Sequence, residues 1–121
     1  MPLDKIEKPG FVYIAYRRKN NNDFDAFKTT LETLIKQDLT IENIVIDLTR
    51  DKMLVEGEIA LIAKTLQRLQ GTSCNLRIIA GGEIAEKLES TNLLRINNIF
   101  AYTNHKALLE DLNNTSEALI H

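Results

Sequence analysis

The sequence predicts an α/β protein: a mixed, mainly parallel sheet with an N-terminal β-hairpin and four helices. Three observations carry that prediction. Short runs rich in β-branched and aromatic residues recur, at residues 11–16, 44–48 and 76–80. Between them, apolar residues repeat at helical spacing. Pro9-Gly10, a turn signal, separates the first of these runs from a charged segment before it. Strands alternating with helices build parallel βαβ crossovers, and a directly connected pair at the start adds an antiparallel edge.

Taken in order, residues 3–8 have Leu3 and Ile6 among charges and read as a short edge strand. Phe11-Val12-Tyr13-Ile14-Ala15-Tyr16 is the second strand of the hairpin. Arg17-Arg18-Lys19 leads into Asn20-Asn21-Asn22-Asp23, a loop ending in good helix-capping residues. From Phe24, the residues Phe27, Leu31, Leu34 and Ile35 continue one helical face, while Lys28, Glu32 and Lys36 line a solvated one. That helix is expected to stop near Gln37-Asp38. Ile44-Val45-Ile46-Asp47-Leu48 is apolar on both faces apart from one acid, as a central parallel strand is.

A polar loop and a helix over residues 56–70 come next. Ile59, Ile62, Leu66 and Leu69 form its stripe, Leu61 and Ala63 widen it, and Lys64 and Arg68 face water. Gly71-Thr72-Ser73 breaks the helix. Leu76-Arg77-Ile78-Ile79-Ala80 is a third buried strand, ended by Gly81-Gly82. A short helix over 83–89 turns Ile84 and Leu88 inward, and a last strand lies within 96–102, with Ile99 and Phe100 expected buried. Thr103 or Asn104 can cap a final helix through Leu112, with Ala107, Leu108 and Leu112 inward; residues 113–121 read as a polar tail.

Length and composition narrow the role. A chain of 121 residues is read as a single domain over 1–121, large enough to fold without disulfide or metal. Fifteen basic and 17 acidic residues give a net charge of −2, which argues against a nonspecific nucleic-acid binder. One cysteine, Cys74, allows no intramolecular disulfide and suits a reducing compartment. The first residues lack the apolar core of a signal peptide, and no apolar run reaches the roughly 18 residues of a membrane span. The expected setting is cytoplasmic, without membrane insertion.

Enzyme signals are poor. His105 and His121 have no cysteine or acid partners at metal-ligand spacing, and no nucleophile elbow or carboxylate pair stands out. No catalytic residue, metal or cofactor is assigned. Lys8, Arg17, Arg18 and Lys19 read as a solvated hairpin end, and Gly81-Gly82 as a strand-to-helix turn. Asp47 sits near a strand terminus, where ligands gather in open α/β sheets. A receiver-domain phosphoacceptor lies at such a place, but the acidic pair that accompanies one is absent here, where the early strand ends in Tyr16-Arg17-Arg18. Asp47 is expected instead to bond loop backbone or a nearby base.

Two strings carry a family resemblance. IVIDL is followed at the right distance by a helix. Then Glu83-Ile84-Ala85-Glu86-Lys87-Leu88, Asn92-Leu93-Leu94 and Ile99-Phe100 precede a last helix near Asn104-His105-Lys106-Ala107. Over about residues 3–112 this resembles a STAS domain, the module of anti-sigma-factor antagonists, stressosome proteins and anion-transporter tails. The resemblance implies a non-catalytic interaction module. Its partner would be a protein such as an anti-sigma factor of kinase-like fold, met by Thr49, Arg50, Asp51 and Lys52 of the loop and Glu56, Gly57 and Glu58 of the helix start. The other role it implies is a structural or homo-oligomerising subunit of a stressosome-like or transporter-associated assembly.

The departures are specific. Family antagonists carry Asp-Ser-Ser-Gly, or Asp-Ser/Thr-x-Gly, where the central helix begins, and a partner kinase phosphorylates it. An ungapped alignment puts Val55-Glu56-Gly57-Glu58 there. The family's Gly-x-Leu-Asp after the early strand is replaced by Arg17-Arg18-Lys19-Asn20. The phosphorylation switch is therefore not carried over. Glu56 has two readings: a fixed charge in place of a phosphate, or an ordinary first-turn acid favoured by the helix dipole by about 0.3–1 kcal/mol.

Overall fold

A computed structural model describes residues 3–8, 11–36, 41–50, 55–92 and 99–120, with side chains left undescribed at 3–4, 7–8, 21 and 113–120. The elements are β1 (Leu3–Lys8), β2 (Phe11–Tyr16), α1 (Asn21–Lys36), β3 (Asn43–Asp47), α2 (Glu56–Leu69), β4 (Asn75–Ile79), α3 (Gly82–Ser90), β5 (Ile99–Tyr102) and α4 (His105–Ile120). They form a five-stranded sheet in chain order, β1-β2-β3-β4-β5. β1 runs antiparallel to β2, and the other pairs are parallel. This is the mixed sheet, hairpin and four helices that the sequence predicts.

Successive strand residues point to opposite faces, so the sheet has two cores. The larger one joins Ile14, Ile44, Ile46 and Ile78 to Phe27 and Leu31 of α1, Ile62 and Leu66 of α2, and Ile84 and Leu88 of α3. Tyr16 stacks on Phe27 at 4.1 Å between ring centres. The smaller core holds Val45, Ile79 and Leu108, with Phe11, Tyr13, Tyr102 and Leu112 packed against it. Among the described residues, α4 alone covers the sheet on this face. The helix stripes fall where the sequence places them: Ile62, Leu66 and Leu69 are buried, and Lys64 and Arg68 are exposed.

Local chemistry sets the boundaries. α1 starts at Asn21, ahead of the expected Phe24, because Asn20 and Asp23 form a reciprocal capping box. Asn20 Oδ1 accepts the Asp23 N–H at 3.3 Å, and Asp23 Oδ2 accepts the Asn20 N–H at 3.0 Å. α2 ends into Gly71, whose φ of 82° is left-handed and favours glycine. Gly82 has φ 56° where β4 turns into α3, which explains a glycine there as a turn. Asn104 caps α4 by accepting the Ala107 N–H at 2.8 Å. α4 continues to Ile120, past the expected Leu112, since no Gly or Pro interrupts residues 113–120. The stop expected near Gln37-Asp38 lies outside the described residues.

One strand residue departs from expectation. Phe100 is 42% exposed, because it lies on the α4 face of an edge strand rather than the larger core. Arg77, the basic residue inside an apolar run, is buried. Its guanidinium lies 4.7 Å from the Phe100 ring centre. Arg77 Nε donates to Asn43 Oδ1 at 2.8 Å, and Nη1 donates to Asp111 Oδ2 at 2.9 Å and to the Tyr102 hydroxyl. Tyr102 in turn donates to Asp111. Burial, together with that bond to the Asp111 carboxylate, pushes the Tyr102 phenol up to about 12, against the opposing pull of Arg77. One buried cation thus ties β3, β4, β5 and α4 together.

Asp111→Ala would leave that cation short of its counter-charge. Urea unfolding at neutral pH should show a loss of roughly 1–3 kcal/mol, the cost of a charge-assisted bond at a half-exposed partner.

Candidate functional site

The segment after β3 begins with a bonded turn. Thr49 donates both its N–H, at 2.8 Å, and its hydroxyl, at 2.6 Å, to Asp47 Oδ1. Such a side-chain-to-backbone turn fixes how the chain leaves the strand. The other oxygen of Asp47 accepts from the Tyr13 hydroxyl and meets His105 Nε2 at 2.6 Å. A carboxylate brings no proton, so the hydrogen between His105 and Asp47 is carried on Nε2. Tyr13 and His105 are themselves 3.0 Å apart.

Asp47 is 2% exposed, whereas the His105 side chain is 53% exposed. Burial pushes the Asp47 carboxyl up. The Thr49 hydroxyl, the Tyr13 phenol, the Thr49 amide and the His105 ring outweigh it by bonding the charged form, and hold the group below the ordinary aspartate value. The expectation that Asp47 bonds loop backbone or a nearby base matches these contacts. Its base is His105, which sequence spacing could not find because 58 positions separate the two.

The start of α2 is built without a side-chain cap on Val55, whose backbone is extended. Glu58 supplies half of a capping box: its Oε1 accepts the Val55 N–H at 2.9 Å. This corrects the expectation that Glu58 helps form a docking surface. Its side chain is fully buried, turned inward as the helix's own cap, and its Oε2 lies 3.7 Å from Arg18 Nε. That separation is an ion pair beyond hydrogen-bond distance. Neither atom has a hydrogen-bond partner among the described residues.

Glu56 and Gly57, in contrast, are exposed at the helix start. A Cβ added at Gly57 would sit 3.7 Å from the Phe24 ring, an ordinary contact, so no steric demand requires glycine there. Thr49 and Arg50 are exposed as well, and Asp51 and Lys52 lie outside the described residues. Glu56 also lines a groove of about 440 Å³ between α2 and α3. Ile59, Ala60 and Ala63 form its α2 wall, and Lys87, Ser90 and Thr91 its α3 wall. Small side chains on one wall leave the space. Thr49, Arg50, Glu56 and Gly57 are thus all exposed; the sequence does not reveal the groove, which depends on how α2 and α3 lie side by side.

Elsewhere the polar groups are structural. Cys74 is buried, and burial pushes its thiol up to about 11, away from a reactive thiolate. Among the described residues, no group of three His, Cys, Asp or Glu could hold a metal ion. Nor is any helix among them long and apolar enough to cross a membrane.

No family model matches the sequence, and no curated protein matches it. Solved structures do. RsbS from Moorella thermoacetica, in a serine-to-glutamate form, aligns with a TM-score of 0.76 at 15% identity, over 97% of this chain and 99% of that one. An anti-sigma factor antagonist from Mycobacterium paratuberculosis aligns with a TM-score of 0.73 at 15% identity, over 92% of each chain. The STAS domain of a SulP transporter from Vibrio cholerae aligns at 0.67 and 14% identity, over 93% and 88%. The protein is a STAS-like domain in its fold, and the likeness extends over nearly its whole described length.

Two outcomes follow from the geometry. Because the folded-state value of Asp47 is depressed, its contribution is present above the unfolded aspartate value of about 3.9 and is lost as pH falls through the lower folded value. Asp47→Asn should therefore cost roughly 1–3 kcal/mol in urea unfolding at pH 7, with the difference from the parent shrinking toward zero under strong acid. Gly57→Ala should leave the fold intact and raise stability by a few tenths to about 1 kcal/mol, read as a higher urea midpoint.

Proposed function

We propose that this chain is a non-catalytic interaction module that docks a regulatory protein through the segment beginning at Thr49 and the exposed start of α2. Glu56 is the observation that carries the reading. It is an exposed carboxylate in the first helical turn, and it lines a groove whose opposite wall carries Lys87. A phosphoserine at such a place would add about −2 of charge to the surface, and a glutamate holds about half of that permanently. The docking surface of this protein has fixed charge. Among the solved structures of the same fold are anti-sigma factor antagonists, which supports an anti-sigma factor of kinase-like fold as the partner class. The Asp47 and Arg77 groups are engaged in bonds that hold strands, loop and α4 together, which supports a binding rather than a catalytic role.

A second role, as an oligomerising subunit, draws on the sheet edges. Ile6 of β1 and Phe100 of β5 are exposed large apolar residues on the two outer strands, and Leu109 of α4 is exposed as well. Light scattering coupled to size exclusion separates the roles, since a monomer at tens of micromolar speaks against the subunit.

The docking reading is tested with the anti-sigma kinase encoded nearest to this chain's gene. Glu56→Lys should weaken binding at least about tenfold in calorimetry, or about 1.4 kcal/mol, while Glu56→Asp should stay near the parent. Equal binding by all three would remove Glu56 from the interface. After incubation with ATP and that kinase, mass spectrometry should find no phosphate on the 55–59 segment, which has no hydroxyl side chain. Phosphate on Thr49 would instead mean that a switch operates from a new position.

A further inference from the structure

The Asp47 cluster spans two parts of the fold that are remote in sequence. One oxygen of the carboxylate holds Thr49, the first residue of the segment leading to α2. The other holds Tyr13 of β2 and His105, the first residue of α4. A carboxylate is planar and rigid, so rotating it to follow one set of partners moves the other oxygen too. The Thr49 amide is bonded to this side chain, and its hydroxyl is bonded to the same atom. Asp47 is buried, so water does not readily replace a lost partner. Its two sets of bonds therefore support one another.

We infer that His105 is a positioning residue for the docking segment: it fixes the Asp47 carboxylate from the α4 side, and through it the conformation of Thr49. The inference deepens the docking reading, on which its significance for partner binding rests. It also assigns a function to exposure. About half of the His105 ring is open to solvent, while Nε2 is committed to Asp47. A group that engages the imidazole from the α4 side would reach the docking segment without touching it. The α4 helix has a second, separate anchor in the Asp111–Arg77 pair, six residues further along it. Loosening α4 in general can therefore be told apart from losing the His105 bond.

The experiment is amide hydrogen exchange by NMR on the protein alone, with the Thr49 amide as the readout and global stability measured in parallel. His105→Ala should speed Thr49 exchange at least about tenfold beyond the change in global stability. His105→Gln places a side-chain N–H near the position of Nε2 and should restore slow exchange. His105→Asn, one carbon shorter, should not. Asp111→Ala releases the second anchor of α4 and should leave Thr49 within about twofold of the parent after the same correction. Unchanged Thr49 exchange in His105→Ala would overturn the inference. So would an equal effect from Asp111→Ala. If His105→Ala fails to fold, the contrast between Gln and Asn still decides, and identical exchange in those two variants counts against the assignment. No partner enters the measurement, so failure to find a docking partner leaves this result standing, and the reverse also holds.

Discussion

A charge buried in a β-strand must be met where it lies, and the two central strands each bury one. Asp47 ends β3 and Arg77 interrupts β4, both on the face that α4 covers. An unmet charge in such a place costs several kcal/mol, comparable to much of a small domain's net stability. α4 meets both, with His105 at one end and Asp111 six residues on, and with Leu108 packed on Val45 and Ile79 between them. The spacing of three residues, then three again, keeps all of these on one helix face. The helix is therefore seated by two polar anchors with an apolar contact between them, and its register against the sheet is specified by chemistry as well as by shape.

The same arrangement explains what could be read from the residues. Periodicity sees side chains in proportion to how regularly they repeat. The two apolar strands, the stripe Ile62, Leu66, Leu69 and the leading hairpin were all legible, because burial on one face or both leaves a local pattern. The His105–Asp47 and Arg77–Asp111 pairs leave none, since 58 and 34 positions separate the partners. A faint signal was present: one acid and one base, each alone inside an otherwise apolar strand. Such a residue needs a partner from another element, but the sequence does not say which. Phe100 shows the opposite failure. An aromatic residue in a strand pattern reads as core, yet at an edge strand the same residue stands half in solvent beneath a guanidinium.

The start of α2 was legible in outline and not in detail. Two glutamates in one turn look equivalent on paper, as helix-start acids that the dipole favours. In the fold they diverge completely. Glu56 points outward beside a groove, whereas Glu58 folds back to bond the Val55 amide, the half of a capping box that the third helical residue supplies. Valine at the cap position has no side-chain oxygen to offer the helix amides, so only the glutamate half of the box is present. Fixed charge outside and a self-capping acid inside are thus two consequences of the same four-residue string.

Strands that lie in the sheet in the order in which they are made give the chain a simple assembly route. Each new strand pairs with its immediate predecessor, so every pairing closes only one connection, and no strand must be inserted between two already paired. A nascent sheet of this kind can grow outward from its hairpin as synthesis proceeds. It stays incomplete in one respect until the end. Asp47 and Arg77 are in place early, but their partners on α4 come last, after β5. Until that helix arrives, one face of the growing sheet carries two half-satisfied charges and an uncovered apolar strip. α4 is in this sense a timing element: its docking marks the moment at which the second face of the sheet is covered and the Asp47 and Arg77 charges gain their partners on it.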